Sequence, residues 1–75
     1  MKIWGWRRIN RNFYTFQNKI DAKIKRISKH HWRVEIKDYF FDKYSTFDEF
    51  KRWTEAYNYV CDKMREISND IRRSI

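Results

Sequence analysis

The hydrophobic period changes within "WRVEIKDYFFDKYSTFDEFKRW", residues 32–53, and this change constrains the fold more than any other feature of the chain. Trp32, Val34 and Ile36 alternate with Arg33, Glu35 and Lys37, the two-residue period of a half-buried strand. From Phe50 onward the period lengthens. Phe50, Trp53, Tyr57, Val60, Met64, Ile67 and Ile71 recur in steps of three and four, the apolar stripe of a helix. One element cannot carry both periods, so the chain is expected to be an α+β domain in which a sheet meets a C-terminal helix.

The aromatic "YFFDKYS" predicts a partner strand reached through a tight turn near Asp38 and Tyr39. Thr46 followed three residues later by Glu49 has the form of a capping box, and Asp48 suits the positive end of a helix dipole. The helix is therefore expected to span 46–75, leaving 1–45 basic and mainly β. The pairs Asp48 with Arg52 and Lys51 with Glu55 would support its polar face. A helix of about 28 residues is roughly 42 Å long, against roughly 20 Å for a six-residue strand. The sheet cannot cover that length. Met64, Ile67 and Ile71 must then meet the N-terminal segment, a second copy or a partner, or the last turns fray; a homodimer through this end is the preferred account.

Residues 1–31 fit two templates. Ile9, Phe13, Phe16, Ile20, Ile24 and Ile27 would share a helical face, yet Ile20, Ala22 and Ile24 also alternate with Asp21, Lys23 and Lys25. Asn10, Asn12, Phe13, Tyr14, Thr15 and Asn18 are poor helix-interior residues, and "INRN" and "QNK" read as turns. An antiparallel meander is therefore favoured, with strands near 3–9, 12–16, 20–27, 32–37 and 40–44. A first helix over about 12–28 is the alternative. The chain reads as one domain over 1–75, a meander of three to five strands on one long helix, without linker or repeat.

At 75 residues such a domain has modest stability, and aromatic residues, 20% of the chain, must supply much of its core. There is one Gly and no Pro, so the turns fall to Asn, Asp, Lys and His. Cys61 is the only cysteine, which excludes a disulfide framework and paired zinc thiolates and suits a reducing compartment. No apolar run is long enough for a leader or a membrane span, so a cytoplasmic protein is expected. Richness in Lys, Asn, Ile, Tyr, Phe and Asp is what AT-rich genomes write, small phage proteins among them; a phage protein would work in the host cytoplasm.

The formal charge is +8, and all of the excess lies in the first half. Residues 1–37 carry eleven Lys or Arg against Asp21 and Glu35, a net of +9, whereas 38–75 carry seven against eight. Such asymmetry marks a surface that faces phosphates, acidic lipid or an acidic protein. The cations of "WGWRRINRNFYTF" and "KIKRISKHHWRVEIK" are interleaved with aromatic rings, a mixture suited to nucleic acid because cations neutralise phosphates while rings stack on bases. Lys23, Lys25, Arg33 and Lys37 would form a basic sheet face opposite the helix, extended by Arg7, Arg8, Arg11, Arg26 and Lys29.

Residues 20–60, with "WRVEI" and "YFFDKYSTFDEFKRW", resemble the small sheet-plus-helix DNA-binding domains at the N-terminus of phage and transposon integrases. The resemblance implies that Arg33, Glu35 and Lys37 on a central strand, with Lys23 and Lys25 beside them, face a DNA major groove.

Three other chemistries fit less well. Asp21 with "EIK" at 35–37 has the spacing of two carboxylates and a lysine in metal-dependent nucleases, but charged, exposed alternation explains these residues more simply. Adjacent His30 and His31 point in different directions, which is poor for joint chelation. Cys61 beside Val60 reads as a small apolar residue. No catalysis, cofactor or metal is expected. The expected partner is nucleic acid, DNA favoured; the alternative is an acidic host protein, for which the chain would act as a small phage-type inhibitor or adaptor.

Overall fold

The computed structural model describes residues 2–38 and 43–74. Five antiparallel strands follow one another across a single sheet in chain order: β1 (Trp6–Asn10), β2 (Phe13–Phe16), β3 (Ile20–Ser28), β4 (His31–Asp38) and β5 (Lys43–Phe50). One helix, α1 (Trp53–Arg73), covers one face of that sheet. The meander is therefore the fold, and 12–28 forms two strands and a turn rather than a helix. The expected turn near Tyr39 and the first part of the expected strand 40–44 lie outside the described residues.

The β1–β2 connection uses Asn10, whose side-chain Oδ1 accepts the Asn12 amide at 2.8 Å, a side chain closing the turn in place of a glycine. Between β2 and β3, Gln17 (φ 49°) and Asn18 (φ 57°) supply the two positive φ angles of the mirror-image turn that suits hairpins. The Lys19 amide donates to the Phe16 carbonyl at 2.8 Å and closes it.

The helix starts seven residues later than its capping signal suggests. Residues 46–50 instead complete β5, where Trp32 faces Phe50 and Arg33 faces Glu49 in register with β4. Ladder pairing along β4, interrupted by a register shift at residue 47, satisfies backbone groups along most of the segment, more than one cap of about 1 kcal/mol can offset. Glu49 then turns to His31 and Arg33, and Asp48 Oδ1 accepts the Glu49 amide at 2.8 Å.

The core lies between α1 and the strand rows Tyr14, Ala22 and Ile36, and Ile24 and Val34, closed by Ala56, Val60 and Met64 from the helix. Tyr14, Ala22, Val34, Ala56, Val60 and Met64 are all fully buried. Starting at Trp53, the helix has 21 residues, about 31 Å, and the sheet plus the N-terminal segment cover most of its stripe. Met64 belongs to the chain's own core and is not available to a second copy, contrary to the dimer stripe expected from sequence. Ile67 and Ile71 are half-buried. No described helix is long and apolar enough to cross a membrane.

Candidate functional site

Strand register divides the basic residues between two surfaces. On the face away from the helix, three rows run across the sheet: Arg7, Thr15, Asp21 and Lys37; Phe13, Lys23 and Glu35; Lys25, Arg33 and Glu49. Arg7, Lys23, Lys25, Arg33 and Lys37 therefore share one face, as expected. Acids accompany them in the same rows. Lys23 Nζ lies 3.7 Å from Glu35 Oε1, and the Arg33 guanidinium lies 3.4 Å from Glu49 Oε1, which also meets His31 Nε2 at 2.6 Å. Opposite charges facing one another across strands stabilise a sheet, but they leave less positive field for a ligand.

Asp21 and Glu35 were expected to be exposed, and they are not. Asp21 is 4% exposed, and Glu35 Oε1 is buried without a hydrogen bond among the described residues, with Lys23 Nζ the cation beside it. Asp21 lies opposite Lys37 in register, so the two carboxylates and the lysine of the nuclease-like spacing do share a face. Among the described residues, no group of three His, Cys, Asp or Glu side chains could hold a metal.

Arg8, Arg11 and Arg26 lie elsewhere. Arg26 stacks on Trp32 at 5.7 Å near the β3–β4 hairpin end, where Lys29 is exposed. Arg8 pairs with Tyr14 on the helix side of β1, and Arg11 lies 4.3 Å above the Trp53 ring, which stacks on Tyr57. Burial, with Tyr57 close by, raises the Tyr14 pKa above the ordinary phenol value, while Arg8 and Arg11 pull it down. A hydrogen bond with Cys61 and burial raise that of Tyr57, against Arg8 and Arg65. The same tyrosines thus sense cations from the strand, the turn and the helix.

Residues 2–4 join this edge through the chain's only glycine. Trp6 N–H donates to the Ile3 carbonyl at 3.0 Å, closing a turn in which Gly5 has φ 84°, a value side chains resist. The Ser68 hydroxyl donates to the Trp4 carbonyl at 2.7 Å, and the Trp6 indole donates to the Met64 carbonyl at 3.1 Å. These bonds fix the segment against α1. A cleft opens beside it, with one recess of about 470 Å³ lined by Lys2, Tyr57, Asn58, Cys61, Asp62 and Arg65. A second, of about 230 Å³, shares Lys2 and Arg65 and is completed by Ile3, Trp4, Ser68, Asn69 and Arg72.

Among the described residues Asp62 is the only carboxylate lining the cleft, and it is tied to Arg65 at 3.3 Å in an exposed pair. Among the described residues, Lys2, Arg7, Arg8 and Lys25 make no ion pair. Cations without an ion pair thus fall at two places, the β1 edge with its cleft and the β3–β4 hairpin end, where Arg26 and Lys29 beside Lys25 make none either; the cleft is the place where they line a recess. Sequence reasoning missed Lys2, Arg65 and Arg72, and named Trp4 only as one ring of the cation-interleaved stretch 4–16. The seven-residue spacing of Arg65 and Arg72, two turns on one flank of a helix, was the available signal.

Compared with family models, with curated proteins and with solved structures, the chain matches none. The chain forms a two-layer α+β domain, a five-stranded antiparallel sheet covered on one face by a single described helix.

Proposed function

We propose that this protein binds nucleic acid without catalysing a reaction, gripping phosphates along the β1 edge and the adjoining rows of the open sheet face. The observation that carries the reading is the gathering of cations about β1 and its cleft: Arg7 on one face of the strand and Arg8 on the other, Arg11 at the β1–β2 turn, and Lys2, Arg65 and Arg72 in the cleft, where Asp62 is the one carboxylate among the described lining residues. Phosphates favour such a surface because each contact releases a condensed counterion. A major-groove placement like that of the integrase domains would lay the open face on DNA. There the exposed Glu49 would meet phosphates of like charge, while Asp21 and Glu35 offset the cations beside them from below the surface, so Arg7 and Lys25 are the stronger contacts on that face.

Among the described residues, homodimerisation through the helix end has half-buried Ile67 and Ile71 to draw on, far from the roughly 800 Å² per partner of a stable interface. We assign binding to the monomer. A second reading, docking on an acidic host protein as an inhibitor or adaptor, draws support from Ile9, which is 51% exposed amid the arginines and adds nothing to phosphate binding.

A mobility-shift assay with double-stranded DNA, single-stranded DNA and RNA across a salt series tests the proposal. Arg7→Glu with Arg8→Glu should abolish the shift, and Arg33→Glu with Lys37→Glu should weaken it less. The absence of a shift near physiological salt, together with a complex formed on an acidic protein, sinks the nucleic-acid reading.

A further inference from the structure

The smaller recess has a chemistry distinct from the rest of the cationic edge. Among the described residues, Lys2, Arg65 and Arg72 line it and no Asp or Glu does. Trp4, 43% exposed, forms part of its wall, with the Arg72 guanidinium 5.3 Å from the ring centroid and the Phe16 ring 5.8 Å away. Asn69 adds a side-chain amide, which can both donate and accept. Ser68 spends its hydroxyl on the Trp4 carbonyl, so it holds the wall in place rather than meeting a ligand.

Cations, a partly exposed indole and an amide around about 230 Å³ make up the parts that recognise one nucleotide: phosphate, base face and base edge. Bases in a duplex are stacked on both faces and cannot enter a recess without leaving the helix, whereas an unpaired base can. The wall is also preorganised. Gly5, the Ser68 and Trp6 hydrogen bonds and the packing of Trp4 on Phe16 hold residues 3–6 before any ligand arrives, which lowers the ordering cost of binding.

We propose that this recess, between residues 2–4 and the Arg65–Arg72 flank of α1, seats one unpaired nucleotide, with its phosphate on Lys2, Arg65 and Arg72 and its base against Trp4. The inference rests on the nucleic-acid reading above and makes it more specific: single-stranded nucleic acid is preferred to duplex. Arg7, Arg8 and Arg11 then track the neighbouring phosphates, and the larger recess next to Tyr57 lies along the same path.

The test is fluorescence anisotropy with an end-labelled oligothymidylate and a duplex of equal length, using the full chain. Trp4→Ala should weaken single-strand binding about tenfold, as expected for one lost stacking platform, and leave duplex binding nearly unchanged. Trp4→Phe should restore most of the affinity. Arg72→Glu, at an exposed helix position, should weaken single-strand binding more than duplex binding. Equal affinity for strand and duplex, or single-strand binding unmoved by Trp4→Ala and Arg72→Glu, overturns the recess while leaving the nucleic-acid reading intact. Failure of the parent to bind either oligonucleotide overturns both.

Discussion

A methyl group built on Gly5 would lie 2.1 Å from Cε2 of Phe16, so the only glycine of the chain stands where the backbone crosses an aromatic ring. With φ at 84°, the position resists a side chain on conformational grounds as well. Gly5→Ala should cost about 2 kcal/mol or more by combining strain with overpacking. Urea unfolding measures the loss. Because the same turn fixes residues 2–4, the variant should also lose affinity for single strands under conditions where it remains folded.

Ser68 is 3% exposed and donates its hydroxyl to the Trp4 carbonyl at 2.7 Å. Ser68→Ala leaves that carbonyl without its side-chain partner and should lower stability by about 1 kcal/mol. Amide exchange should quicken around residues 3–6 while the protection of β3 and β4 persists, since the bond anchors a segment and not the sheet.

Gln17 and Asn18 hold positive φ angles that side chains other than Asn adopt at a cost. Replacing the pair by Asn and Gly should stabilise the β2–β3 hairpin by about 1 kcal/mol, read as a higher urea midpoint with an unchanged slope. A lower midpoint would mean that the Gln17 side chain makes contacts that outweigh its strain.

The raised pKa of Tyr14 makes stability depend on alkaline pH. Burial favours the neutral phenol, so the folded chain holds its proton more tightly than the unfolded one. That contribution is complete below the ordinary phenol value of about 10 and is lost as pH rises through the raised value. Tyr57, raised first by its hydrogen bond with Cys61, acts in the same direction. Urea midpoints measured upward from neutral pH should therefore fall above about pH 10, and less steeply in Tyr14→Phe. That variant also loses the 2.6 Å hydrogen bond from the Tyr14 hydroxyl to the Arg11 carbonyl, so its midpoint should be lower at neutral pH.

Much of the fold was legible in the sequence because its signals are local. The alternation of Trp32, Val34 and Ile36 marked β4 closely, and "QNK" became the turn that its residues suggest. The same local logic misplaced the helix start, because Thr46 and Glu49 carry a valid capping pattern in a segment that β4 recruits by pairing. Charge was legible in amount but not in arrangement. Glu35 was legible on the face of Lys23, Arg33 and Lys37, but not that register sets it opposite Lys23, with Glu49 opposite Arg33 and Asp21 opposite Lys37. The cleft could not be read at all, since Trp4 and Ser68 meet across 64 positions of chain.

The salt dependence of binding tests the central claim most directly. Affinity for an oligonucleotide, measured across salt concentrations, should fall steeply in the parent. Arg7→Gln with Arg8→Gln should lower the slope of log affinity against log salt by about two, one for each phosphate contact removed. Binding insensitive to salt, or a slope that the double variant leaves unchanged, would contradict the claim that the β1 edge grips phosphates.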